Sequence, residues 1–374
     1  RMSRVRLAVI GVGHLGRIHA RLAKNLAAAD LVAVADPIAE AREQVAGELG
    51  LRAVADYREL FGQIDAAIVV TPTRQHHGVA ADLLSRGIHA FVEKPVTTSV
   101  SDANQLVELA DAKHLVLQVG HVERFNPAFV AAEPHVENPK LMEAVRSGPF
   151  TGRSTDIGVV LDLMIHDIDL VLALAGSEVT AVEALGAAVF GPNEDWAQAR
   201  LVFADGMIAN LRASRVSQQA ERTLEAWCPD RHVRIDFAAR KAVVMRHSRQ
   251  VQTGQIDVQH LTAEDRQSLQ QRLFTELLPV TELSIEDANA IAQEQEEFVA
   301  AIRTGSIVRV CGRAGRSALD VAERIITSIS SHRWDGTSHG PVGPRREAIR
   351  RPLTGPHWSL SPAAKAATRK RRAG

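Results

Sequence analysis

The first third of the chain alternates between two hydrophobic periods. Short apolar runs at residues 7–10, 31–35, 65–70, 88–92 and 115–119 read as buried strands. Helical patterns at 37–50, 73–87 and 99–114 separate them, the last with Ser99 and Ser101 as capping candidates. This alternation predicts a doubly wound parallel sheet of six strands, five of them located by these runs, joined by crossover helices. From about His121 the texture changes. Pro127, Pro134, Pro139 and Pro149 break the chain into irregular pieces, and a strongly apolar helix covers 159–175. Alternating segments follow at 179–190, 197–203, 207–214, 223–227, 232–237 and 242–246, with turn signals at 203–206 and 228–230. They predict an antiparallel sheet. Residues 248–284 are polar and give no clear pattern; helices at 285–304 and 316–330 close the ordered part.

The first strand runs directly into Gly11, Gly13 and Gly16, and a helix follows at once. In that setting each glycine has its own physical role. Gly11 permits a tight turn, Gly13 lets backbone approach a pyrophosphate, and Gly16 lets helix and strand pack closely. The N–H groups of the helix's first turn then face the phosphates. Asp36 ends the second strand, twenty residues after Gly16. A carboxylate there accepts hydrogen bonds from ribose hydroxyls and repels a 2′-phosphate, which favours NAD over NADP. The expected fold is thus an α/β Rossmann-type doubly wound parallel sheet plus an α+β second domain with a mostly antiparallel open sheet. The expected divisions are 1–122 for dinucleotide binding, 123–331 for substrate binding and oligomerisation, and 332–374 for a basic, disordered tail.

Composition narrows the class. The 374 residues are 45% hydrophobic and 24% charged, with a formal net charge of zero. This is the profile of a soluble globular protein rather than a dedicated nucleic-acid binder. Cys228 and Cys311 are too few for a disulfide framework and lack metal-ligand spacing, so a reducing cytoplasm is expected. No apolar run reaches the length of a membrane helix, and the N-terminal apolar stretch leads into the glycines rather than a cleavage site. The zero net charge conceals an asymmetry. Residues 332–374 carry ten Lys and Arg against Asp335 and Glu347, a net of +8 that leaves −8 for the rest. A solvated extension accounts for such a tail; a tether to an anionic surface is the alternative.

Three stretches carry candidate chemistry. Glu93-Lys94-Pro95 follows the fifth strand, where a lysine points into the crevice at the strand ends. Asp162, His166, Asp167 and Asp169 lie within the apolar helix, and a spacing of four puts Asp162 and His166 on one face. Such groups must be paired, solvated in a cleft or costly. A buried structural histidine is one alternative and a metal ligand another, although no further His or Cys stands at ligand spacing, so no metal is expected. The run from Val119 to Pro127 contains His121, Arg124 and Asn126, which suit hydroxyl or phosphate contacts, or a polar interdomain hinge.

Together the glycine turn, Pro72 with His76, Glu93-Lys94-Pro95 and the Asp162–His166–Asp169 helix resemble the Gfo/Idh/MocA oxidoreductases over about residues 4–331. Met164 and Thr73 depart from the residues common there. The resemblance implies hydride transfer between a hydroxyl carbon and nicotinamide, with Lys94, His166 and Asp162 catalytic. It implies cofactor contacts from Gly11, Gly13, His14, Leu15, Gly16, Asp36, Thr71, Pro72, His76, Glu93 and Lys94. Substrate contacts are expected from Arg124, Asn126, Asp169 and Arg215. The runs at 120–127 and 162–169 look similar to the branch that oxidises sugar nucleotides such as UDP-N-acetylglucosamine at C3. Arg124, Arg153, Arg212, Arg215 and Arg222 are available for a diphosphate. A free sugar or inositol dehydrogenase, an NAD-dependent glycosidase and a non-catalytic NAD-binding regulator are the alternatives. A homodimer or homotetramer through the second-domain sheet is implied, since open sheets need covering.

Overall fold

In a computed structural model, which describes residues 4–152, 157–256 and 258–344, two sheets meet through a shared set of helices. The first unit runs β1 (Val5–Ile10), α1 (His14–Ala23), β2 (Ala29–Ala35), α2 (Ala39–Leu49), β3 (Arg52–Val54), β4 (Ala66–Val69), α3 (Thr73–Ser85), β5 (His89–Glu93), α4 (Val100–Ala112) and β6 (Leu117–Gly120). Its strands are all parallel in the order β3-β2-β1-β4-β5-β6. The chain reverses direction across the sheet between β1 and β4, where such sheets bind ligands. Successive residues of β1 serve opposite faces: Leu7 and Val9 join one core, Ala8 and Ile10 the other. Ser99 caps α4 by accepting from Asp102 N–H at 3.1 Å. The short β3 was not located by patterning.

The second unit contains α5 (Pro127–Ala132), β7 (Leu141–Ser147), α6 (Ile165–Leu174), β8 (Val179–Ala187), β9 (Trp196–Phe203), β10 (Ile208–Ser214), β11 (Glu221–Cys228), β12 (Arg231–Asp236) and β13 (Lys241–Arg246). The polar stretch supplies α7 (Arg249–Gln252), α8 (Ala263–Arg272) and β14 (Val280–Glu282); α9 (Ala290–Thr304) and α10 (Gly312–Ser331) follow. The eight-stranded sheet has the order β14-β13-β12-β11-β7-β10-β9-β8 and is antiparallel except for the β7–β10 pair. Patterning missed β7, a central strand, because Pro139 and Pro149 flank it and Arg146 sits on its buried face.

Three differences from the expected organisation have physical causes. The helix expected over 159–175 begins with a π-helical turn, Val160–Met164, in which Ile165 N–H donates to Val160 O. The division at residue 122 is crossed, because α9 returns to the first unit and puts Phe298 against Phe91 at 5.9 Å between ring centroids. Helix α10 serves both units, with Leu319 in the first core and Val321, Ala322 and Ile325 in the second. Residues 332–344, expected to belong to the disordered tail, instead lie against β8 and β9. Trp334 meets Trp196 edge-on at 6.3 Å, its indole N–H donates to Gly343 O, and Ala188 N–H donates to Pro344 O. Among the described residues, no helix is long and apolar enough to cross a membrane.

Candidate active site

The glycine turn has the geometry its sequence requires. Gly11 has φ +87°, and a Cβ there would come within 2.7 Å of the Val70 carbonyl group. A Cβ on Gly16 would overlap the Gly11 carbonyl oxygen. Gly13 precedes α1, and the space its Cβ would fill has no atom within 4 Å. His14 and Leu15 follow in the first turn, with His14 exposed. The Asp36 carboxylate accepts from Val12 N–H at 2.9 Å and Ile38 N–H at 2.8 Å, which ties the end of β2 to the glycine turn. An open cradle, first-turn N–H groups and this carboxylate fit a dinucleotide.

The next strand ends add the other expected contacts. Pro72 starts α3, and His76 is buried with Nε2 2.7 Å from Thr71 O and Nδ1 2.9 Å from Pro95 O. Two carbonyl oxygens are satisfied in full only by a doubly protonated ring. Burial acts the other way and lowers the His76 pKa. Glu93 is buried at the end of β5, where its Oε2 accepts from Lys94 N–H at 3.1 Å.

Lys94 reaches across the two units. Its Nζ donates to the Asp162 carbonyl oxygen at 2.7 Å and lies 3.5 Å from the Asp162 carboxylate. Asp162 stands within the π-turn, and such turns often occur at functional positions. Burial lowers the Lys94 pKa, opposed by the charges of Asp162 and Glu93. One turn further on, His166 has its Nδ1 buried without a hydrogen-bond partner. Burial, then the charges of Lys94 and Arg146, hold its pKa well below the ordinary value. Asp162, expected on one helix face with His166, lies beside Lys94.

His121, expected with Arg124 and Asn126 to suit hydroxyl or phosphate contacts or a polar hinge, comes into this group beside His166. It is 1% exposed, neither ring nitrogen has a partner, and it meets the His166 ring edge-on at 6.4 Å between centroids. Burial and the Lys94 charge push its pKa down to about 3. Arg146 was also missed. Its guanidinium grips Asp167 through Nε and Nη2, the latter at 2.8 Å, and reaches Glu123 through Nη1 at 2.7 Å. A charged residue on the buried side of an unlocated strand left no signal beyond Arg146 itself.

The four residues expected to touch substrate have partners within the protein. Arg124 faces Asp169 at 3.8 Å and donates to Arg309 O at 3.3 Å. Burial pushes the Asp169 carboxyl up to about 7 against the pull of Arg124. Asn126 caps α5 by accepting from Ala128 N–H and donates to Glu123. Arg215 donates to Asp195 at 2.6 Å and to Ile157 O at 2.9 Å. Of the other arginines, Arg212 pairs with Glu221 on the outer sheet face. Arg222 is exposed and stands opposite Arg146 in register, so it shares that residue's side of the sheet. Arg153 lies outside the described residues.

Comparison with known proteins agrees with this geometry. A family model described as an oxidoreductase family with an NAD-binding Rossmann fold matches residues 5–121, and the GFO/IDH/MocA C-terminal domain matches residues 130–235. The chain is similar to UDP-N-acetylglucosamine 3-dehydrogenase of Acidithiobacillus ferrooxidans, 41% identical over 63% of this chain and 75% of the relative. It is 32% identical to scyllo-inositol 2-dehydrogenase (NAD(+)) of Bacillus subtilis over 57% of this chain and 68% of that protein. The solved structure of UDP-N-acetylglucosamine 3-dehydrogenase GnnA from Acidithiobacillus ferrooxidans matches with TM-score 0.76 at 34% identity, covering 87% of this chain and 98% of that one. A Rossmann cradle, a Glu-Lys-Pro turn and an Asp–His helix thus occur together in a chain that belongs to the Gfo/Idh/MocA family of oxidoreductases.

Proposed function

We propose that the protein is an NAD-dependent dehydrogenase that oxidises a secondary hydroxyl of a sugar nucleotide, with C3 of UDP-N-acetylglucosamine as the specific reading. The observation that carries the chemistry is Lys94 meeting Asp162 at the crevice, with His166 one turn away. The glycine turn holds the pyrophosphate, and Asp36 takes the adenosine ribose hydroxyls, which favours NAD over NADP. NAD supplies the hydride acceptor. The hydroxyl proton passes to His166, whose ring is unprotonated in the neutral range. Lys94 holds the same oxygen by hydrogen bonding, and Asp162 fixes the ammonium through its carbonyl and carboxylate. His76, Thr71, Pro72 and Glu93 shape the wall that carries Lys94. Arg222 is the cation most available for a diphosphate, while Arg124, Asn126, Asp169 and Arg215 stabilise the substrate side of the cleft. The open outer face of the eight-stranded sheet supports pairing with a second copy.

The similarity to an NAD-linked inositol dehydrogenase supports a second reading, with a free polyol as substrate. A panel of UDP-sugars, free hexoses and inositols with NAD separates the two. UDP-N-acetylglucosamine is expected to give NADH and a 3-keto product, and NADH from inositols alone would favour the polyol. A glycosidase of this fold returns the hydride, so substrate turnover without NADH would overturn both. Lys94→Ala and His166→Ala are each expected to lower kcat by about 10²–10⁴-fold with NAD affinity retained. Normal turnover in either variant removes that residue from the mechanism.

A further inference from the structure

Behind Lys94, on the face of the first sheet covered by α1 and α9, lies a buried group of which the proposed mechanism uses only Glu93, as part of the wall that carries Lys94. His19 from α1, Glu93 from β5 and Glu294 from α9 offer ligand atoms all within 4.8 Å of one another. His19 and Glu294 are 0% exposed. Glu93 is well supplied with donors: His19 Nε2 approaches its Oε1 at 2.8 Å, and Lys94 N–H approaches its Oε2. Gln295 Nε2 donates to His19 Nδ1 at 2.8 Å, so the single ring proton sits on Nε2 and points to Glu93. Glu294 has no such support, since neither carboxylate oxygen has a hydrogen-bond partner. Two neighbouring carboxylates in a dry site cannot both ionise without a counter-charge.

We propose that Glu93 and Glu294 share one proton, held by Glu294, so that a single buried negative charge stands behind Lys94 and fixes its backbone. Each charged or titratable group facing Glu294 agrees with this placement. Glu93 and Glu297 repel a charge on Glu294, and burial raises its carboxyl pKa well above the usual range. His19 brings only the proton already given to Glu93. The Lys94 ammonium, which donates to Asp162 O, favours a charge on Glu93. Burial alone would raise the Glu93 pKa, but the His19 hydrogen bond and the charges around it hold it below the usual range. Gln118 Nε2 donates to the Glu294 carbonyl at 2.8 Å, and α9 is thereby anchored to β6. Glu294 thus acts as a positioning residue through Glu93.

Infrared spectroscopy at neutral pH tests the proton directly and needs no substrate. A protonated-carboxyl C=O component beyond that of Asp169, shifted in heavy water and lost in Glu294→Gln, is expected; identical wild-type and Glu294→Gln spectra in this region overturn the proposal. Thermal unfolding gives a second readout. A proton kept in the folded state and released on unfolding lowers stability as pH rises above the ordinary carboxylate range, about 4.3. Glu294→Gln is expected to flatten that slope, and an unchanged slope counts against the proton. The kinetic arm rests on the reading of Lys94 as catalytic. Glu294→Ala is expected to lower kcat roughly tenfold without weakening NAD binding, and Glu294→Gln to recover most of the loss. A Gln variant as impaired as Ala overturns the positioning role. A stoichiometric divalent ion whose removal by chelator unfolds the protein would also overturn it, because a metal requires both carboxylates ionised.

Discussion

At the scale of single residues, the decisive contact joins Lys94 to Asp162, 68 positions apart in sequence. Each was visible as an oddity, a lysine at a strand end and an acid in an apolar helix. Their partnership was not, because only the docking of the second unit brings them together. Under the proposed mechanism the pH dependence follows from His166. A base must be unprotonated, and burial, then the charges of Lys94 and Arg146, lower its pKa. The acid limb of kcat/KM for hydroxyl oxidation is therefore expected below about 6.5, the ordinary histidine value. Initial rates across pH check this, and a limb above that value would contradict the assignment. Arg146 makes a stability prediction. Arg146→Met leaves Asp167 buried and without its cation, at a cost of about 3–5 kcal/mol in urea unfolding. An unchanged midpoint would mean that Asp167 is neutral in the folded protein.

At the scale of elements, the strands and helices of the first unit were largely legible because burial follows period. Continuous apolar runs marked β1, β2, β4, β5 and β6, and only the three-residue β3 was too short to register. The helix bearing Asp162 and His166 was legible as an element but not in its register. A π-turn leaves no mark on hydrophobic patterning, because the run stays apolar whether or not one residue is added to a turn. Deleting Leu163 removes the extra residue and changes the register of His166 relative to Asp162. Turnover is expected to fall about 10²-fold while circular dichroism and NAD binding persist. Retained turnover would show that the register has no role. β7 was lost between two prolines, and with it Arg146, the residue that organises Glu123 and Asp167.

At the scale of the whole molecule, the helices that follow the second sheet bind the two units together. Residues 332–344 continue this closure over β8 and β9, so a chain ending at Ser331 is expected to melt several degrees lower while retaining NAD affinity. An unchanged melting temperature would assign the Trp196–Trp334 contact no net stability. The sequence by itself determined the doubly wound sheet, the glycine turn after β1 and the residue types available for hydride chemistry. Those features are local: a period of burial, a turn that only glycine can make, a carboxylate at a strand end. Tertiary structure decided which charges meet. Lys94 finds Asp162, Arg146 finds Asp167, and Glu93 lies among His19 and Glu294, all by contacts between segments far apart along the chain. Electrostatic energy in a dry interior depends on separation in space and on the donors at hand, and a linear order of residues contains neither.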